Sequence, residues 1–258
     1  MGDYVSLMVD EGVGVIRLDR PPANAIDLQL ATELRETVHE AGGRDDVGAI
    51  VVWGGPNLFA AGADINAMAE GTPEEVRPSV DALGAACDLL ESVPKVSIAA
   101  INGYALGGGL ELALGCDFRY AANDANLGQP EIRIGVIPGA GGTQRLTQLI
   151  GPGRTRSLVY SGRQVGADEA LRIGLVERVE ASRELYDAAI DDARAFARGP
   201  REALAAAKAS IRAAVLVPGP EGIAEERRRF LALFGTADQR EGMTAFLEKR
   251  APRFGGAP

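Results

Sequence analysis

Two glutamates set in glycine-lined, apolar stretches carry the strongest chemical signal in the chain. Glu111 follows three consecutive glycines in Asn102-Gly-Tyr-Ala-Leu-Gly-Gly-Gly-Leu-Glu-Leu-Ala113. Glu131 closes Gly128-Gln-Pro-Glu131 and precedes the apolar run from Ile132 to Gly139. Withdrawal from water penalises a charged carboxylate, so two carboxyl groups in different apolar surroundings can separate their proton affinities and divide acid and base work. A third stretch, Phe59-Ala-Ala-Gly-Ala-Asp-Ile65, is made of small residues whose backbone N–H groups another molecule can reach. Donors from two such loops can hold a developing oxyanion. Each feature also has a plain structural reading. Glu111 can stabilise a helix N-terminus, Asp64 can cap a helix, and Glu131 can pair with Arg133 on a surface loop.

Other chemistries find no support in the sequence. There is no Gly-Lys dipeptide for a Walker A loop, no G-x-G-x-x-G at the glycine-rich turns and no G-x-S-x-G. The single histidine, His39, lies on a predicted helix with no nucleophile beside it. Cys87 and Cys116 make neither a disulfide framework nor a zinc site, and Cys87 falls on an apolar helical stripe. No metal site and no redox cofactor are expected. Lys plus Arg number 27 against 36 Asp plus Glu, a net charge of −9, which opposes nucleic-acid binding. No apolar run approaches the ~18 residues that span a bilayer, and no basic segment followed by an apolar one opens the chain. A cytoplasmic location without membrane association is the expectation.

The positioning elements emerge from periodicity in the 258 residues. Residues 4–9 and 13–18 read as a hairpin around Asp10-Glu11-Gly12. Leu30, Leu34, Val38 and Ala41 mark a helix that stops at Gly42-Gly43. Ala49 to Trp53 reads as a buried strand, and Val96 to Ile101 and Asp117 to Ala121 as further strands. Thr72-Pro73-Glu74-Glu75 has the pattern of a capping box, but Pro78 interrupts the helix that this box would start. The expectation is an irregular 66–78 segment and a helix from about Ser79 to Ser92. After Gly151-Pro152 helices are expected near 167–173, 182–198, 200–216, 221–234 and 237–250, with one strand at 175–179. Thr236 and Gln239 suggest a second capping box. Strand and helix units thus alternate over 1–195, and a helical region over 196–258 has apolar stripes that call for a neighbouring subunit.

Over nearly its whole length the chain resembles the enoyl-CoA hydratases of the crotonase superfamily. The matching motifs are 59–65, 102–113, Gly128-Gln-Pro-Glu131 and Ile137-Pro-Gly-Ala-Gly-Gly-Thr-Gln-Arg-Leu146, with lesser matches at Ser161-Gly162, 167–176 and 241–250. The resemblance implies an α/β fold, a crotonase-like spiral of ββα units with a C-terminal helical oligomerisation region, assembled as trimers or hexamers. It places the backbone N–H groups of Ala63 and Gly108 around a thioester carbonyl and makes Glu111 and Glu131 the catalytic pair. It sets Gly139 beside the attacking water, and Ala61, Asp64, Ile65 and Asn66 against the substrate. The implied activity is hydration of a trans-2-enoyl-CoA to a 3-hydroxyacyl-CoA in fatty-acid or related acyl-CoA degradation. CoA enters as part of the substrate, and no separate cofactor is implied. Glu111 is assigned to the water and Glu131 to the proton at C2, with the division between them open. An enoyl-CoA isomerase on the same fold is the alternative. A non-catalytic or RNA-binding relative is disfavoured by the charge and by Glu225-Glu226 beside Arg227-Arg228-Arg229. Asn57 and Asn66 stand where related hydratases often carry lysine toward CoA. That leaves other Lys or Arg residues, such as Lys249 and Arg250, to hold the phosphates.

Overall fold

A computed structural model describes residues 2–255; Met1 and residues 256–258, at the outer ends of the two expected regions, lie outside the described residues. The hairpin is β1 (Val5–Asp10) and β2 (Val13–Leu18), followed by α1 (Leu28–Gly43), whose N-cap Asp27 accepts from Leu30 N at 2.8 Å. β3 (Ala49–Trp53) leads through a short α2 (Ile65–Met68) to α3 (Pro73–Ser92). β4 (Val96–Ile101), β5 (Tyr104–Leu106) and α4 (Gly108–Gly115) come next. Then come β6 (Phe118–Ala122), β7 (Asn126–Gly128), a 3₁₀ turn at Glu131–Ile134 and α5 (Gly142–Ser161). β8 (Gln164–Gly166), α6 (Ala167–Ile173), β9 (Arg178–Glu180) and α7 (Leu185–Ala197) complete the α/β part. Three helices end the described chain: α8 (Arg201–Leu216), α9 (Pro220–Ala232) and α10 (Ala237–Glu248).

The strands form two sheets. The larger runs β1-β2-β3-β4-β6-β9 and is parallel except for the opening hairpin. The smaller runs β5-β7-β8 and is extended by a bridge between Ala60 and Ala105. The units that begin at β3, β4 and β6 each place one strand in the large sheet and the next extended segment in or beside the small one, then close with a helix. Every residue of β4 is buried, as in a parallel sheet covered on both faces, and all but Ser97 are apolar. α7 packs against β3 and β4, and α1 packs against α3.

Three features differ from the expectations. The small sheet has no counterpart among the predicted elements, because strands of three residues are too short to show a period. α3 is continuous through Pro78, where the sequence predicts a break. Pro78 lies in the exposed early turns, where water can hydrate the carbonyl it leaves without a partner. The helix start is fixed independently, since Thr72 and Glu75 cap each other reciprocally. The 66–78 segment is thus largely helical. At α10 Thr236 accepts from Gln239 N, but the Gln239 side chain accepts from Gly235 N instead of closing a full box.

Past Ala197 only Ala245 is buried among the described residues. α8 is nevertheless fastened to the sheet. Lys208 Nζ donates to Leu90 O at 2.7 Å, Lys95 O at 2.8 Å and Asp117 Oδ2 at 2.7 Å.

Candidate active site

Pairing between Ile26 and the 62–64 segment exposes the first donor. Ile26 N donates to Gly62 O and Asp64 N donates to Ile26 O, as in a parallel ladder. The residue between them, Ala63, must then turn its own N–H to the opposite side. The second donor belongs to Gly108, the first residue of α4, where a helix leaves its N–H groups without intrahelical partners. A methyl carbon placed on Gly108 would lie 3.7 Å from Ala63 N, so the two N–H groups are neighbours.

The glycine triplet makes this approach possible. Gly107 adopts φ +50, and a side chain there would meet Glu131 Oε1 at 2.9 Å. A methyl at Gly109 would fall 2.3 Å from Ala60 O. Both positions require the absent Cβ.

Glu111 occupies the first turn of an entirely buried helix, with 3 % of its surface exposed. Its Oε1 accepts from Ala140 N and Gly142 N, each at 2.7 Å, at the start of α5. Burial raises its pKa, while those two bonds and the Arg145 charge pull it back down. Arg145 also fixes the donor loop: its Nη1 donates to Ala140 O at 2.8 Å and its Nε to Glu91 at 2.8 Å.

Glu131 begins the 3₁₀ turn after Pro130. Burial pushes its pKa up to about 7, and the Glu111 charge adds to the rise. The fully buried Gln129 is its neighbour. With the amide nitrogen turned to the carboxylate, it donates to Oε1 at 2.9 Å and Oε2 at 3.2 Å.

Both carboxyl groups, Ala63 and Gly108 line one cavity of about 520 Å³. Its wall is mostly apolar, with Val76, Val80 and Leu83 from one face of α3 and Ile137 from the loop before α5. Two clefts of greater volume, about 710 and 740 Å³, lie at α8–α9 and at the end of α10, away from these groups. Two N–H donors beside two carboxyl groups of raised proton affinity can stabilise an enolate oxygen and move protons at adjacent carbons.

Of the remaining expected residues, Ala61, Ile65 and Gly139 line the cavity, and Gly139 lies against Val80. Asp64 and Asn66 are not among its lining residues. Asp64 is engaged structurally, capping α2 through Asn66 N and Ala67 N and pairing with Arg20 at 2.9 Å. The Arg20 contact, first among the causes, holds its pKa below the usual range. Among the described residues Glu131 forms no ion pair with Arg133, and Arg250 is tied to Glu241 and Glu248. Sequence reading missed the roles of Gln129 and Arg145. Both lie inside the quoted motifs, where a polar side chain among glycines and apolar residues was the available signal. Among the described residues no group of three or more His, Cys, Asp or Glu is placed to hold a metal, and no helix is long and apolar enough to cross a membrane.

Residues 8–257 match the family model described as enoyl-CoA hydratase/isomerase. A Mycobacterium leprae protein named probable enoyl-CoA hydratase is 44 % identical over 258 residues, covering 97 % of this chain and 98 % of that protein. The crystal structure of an enoyl-CoA hydratase from Bacillus anthracis is 38 % identical with a TM-score of 0.94, over 99 % of this chain and 100 % of that one. DspI of Pseudomonas aeruginosa is 41 % identical with a TM-score of 0.94, over 98 % and 97 % of the two chains.

Proposed function

The chain belongs to the enoyl-CoA hydratase/isomerase family, and from that premise we propose that it is a hydro-lyase adding water across the double bond of trans-2-enoyl-CoA. The observation that carries the reading is the convergence of Ala63, Gly108, Glu111 and Glu131 on one apolar cavity. C3 of a 2-enoyl thioester is electrophilic only when the carbonyl oxygen can accept charge. The N–H groups of Ala63 and Gly108 supply that stabilisation, each donor being worth ~10²–10³ in rate. Glu111, held by the N–H groups of Ala140 and Gly142, takes a proton from water as the water oxygen bonds to C3. Glu131, with its pKa raised to about 7, supplies a proton to C2. The product is the 3-hydroxyacyl thioester. The two carboxyl groups line one cavity and the Glu111 charge bears on Glu131, so the reaction is assigned to the pair.

Ala61, Ile65 and Gly139 contact the substrate in this reading, while Asp64 acts by holding α2 in place. The chemistry needs no cofactor besides the CoA that the substrate carries. Exposed Ile211, Leu216, Phe230, Phe246 and Leu247 on α8, α9 and α10, with Phe234 in the turn after α9, support assembly as a homotrimer or homohexamer through the 196–258 region. Fatty-acid or related acyl-CoA degradation in the cytoplasm is the proposed setting.

The alternative reaction, isomerisation, shifts the double bond between C3=C4 and C2=C3 by moving a proton between C2 and C4, without adding water. Supplying 2-enoyl-CoA and 3-enoyl-CoA separately and weighing the products distinguishes the two. A product heavier by one water from the 2-enoyl substrate supports hydration. Conversion of the 3-enoyl substrate alone, with no gain in mass, overturns it.

A further inference from the structure

Arg133 is the one cationic side chain lining the cavity among the described residues. It projects from the 3₁₀ turn two residues after Glu131. Its stem lies on Gly162, where a methyl group would fall 2.9 Å from Cγ and 3.1 Å from Nε. Gly162 is the left-handed residue that ends α5, so the arginine lies against a backbone that leaves it room. Nearby cations are engaged by carboxylates: Arg145 by Asp88 and Glu91, Arg163 by Glu169. Arg133 makes no such pair among the described residues. The catalytic carboxyl groups do not take up its charge either. The proton affinity of Glu131 is set by burial and by Glu111, whereas a guanidinium in contact would lower it. A guanidinium presents several N–H donors in a planar fork and no acceptor, which is complementary to an oxyanion.

We propose that Arg133 receives an anionic group of the thioester substrate and thereby sets which substrates the site prefers. The inference rests on the acyl-CoA reading above. Two parts of such a substrate carry oxyanions: a carboxylate at the far end of a short acyl chain and the phosphates of the CoA arm.

The test uses the full-length protein, its Arg133→Gln and Arg133→Lys variants, and three thioesters. Crotonyl-CoA carries the phosphates, glutaconyl-CoA carries the phosphates and a distal carboxylate, and crotonyl-pantetheine carries neither. Loss of a charge-assisted contact should raise KM about tenfold or more in the glutamine variant, with kcat changed far less and lysine recovering part of the loss. A penalty on both CoA thioesters relative to crotonyl-pantetheine identifies the phosphates. A penalty confined to glutaconyl-CoA identifies the carboxylate. The same ratio of variant to wild type on all three substrates overturns the proposal and leaves the hydratase reading intact. A wild type inert on all three overturns both.

Discussion

The hold of α5 on Glu111 can be tested with one methyl group. Gly142 N donates to Glu111 Oε1 at 2.7 Å, and a methyl at Gly142 would fall 2.9 Å from that oxygen and 2.6 Å from the Gln129 amide. Gly142 has ordinary helical backbone angles, so Gly142→Ala adds no backbone strain; only the contact changes. The carboxylate must move and its bond to Gly142 lengthens or breaks. A hydrogen bond to a charged group is worth about 1.5–3 kcal/mol, so kcat should fall roughly ten- to hundredfold. KM should change little, since Gly142 does not line the cavity. The pH profile gives the second readout. That bond lowers the Glu111 pKa, so its loss raises the value further and shifts the acidic limb of kcat to higher pH. Gly153→Ala is the control, because a methyl there meets nothing within 4 Å on the same helix; it should match wild type. Steady-state hydration across pH, with circular dichroism to verify folding, measures all three proteins. A folded Gly142→Ala with wild-type kcat and an unmoved acidic limb would refute the view that this N–H tunes Glu111.

Three further outcomes are expected. Gly109→Ala places a methyl 2.3 Å from Ala60 O, forcing α4 away from the 59–63 segment and separating the Ala63 and Gly108 donors; kcat should drop ~10²–10³-fold, read in the same assay. Glu131→Gln should be more stable than wild type above pH 7 in urea unfolding, with the difference gone near pH 4. The folded state binds the Glu131 proton more tightly than the unfolded one, so that stability is present at low pH and lost as pH rises through about 7. Lys208→Met leaves Asp117 and two carbonyls without their buried ammonium, and should cost roughly 3 kcal/mol, seen as a lower denaturation midpoint.

Long, strongly patterned elements were legible in the sequence. β3 is a continuous apolar run, β4 is apolar but for Ser97, both have the predicted bounds, and α1 tracks its Leu30–Leu34–Val38–Ala41 stripe. The small sheet was not legible, because β5, β7 and β8 have three residues each and pair with one another across the chain. Pro78 misled because a proline's cost depends on whether water reaches the freed carbonyl, and only tertiary placement decides that. At the site, the glycine triplet and the apolar setting of Glu111 pointed to a close backbone approach, and the structure gives its partners as Ala60, Ala63 and Glu131. Asp64 illustrates the opposite case. It sits inside a site motif, yet its carboxylate caps α2, as its plain structural reading allowed, and pairs with Arg20, a long-range contact with no local signature.

The paired-carboxylate reaction is tested most directly by monitoring the loss of enoyl-thioester absorbance with crotonyl-CoA for wild type, Glu111→Gln and Glu131→Gln. Gln keeps the shape of each side chain and removes its ability to exchange a proton. The expected result is turnover to 3-hydroxybutyryl-CoA by wild type and a fall of ~10²-fold or more in each folded variant. Wild-type rates in either variant, or a wild type that leaves crotonyl-CoA and longer 2-enoyl-CoAs unchanged, would contradict it.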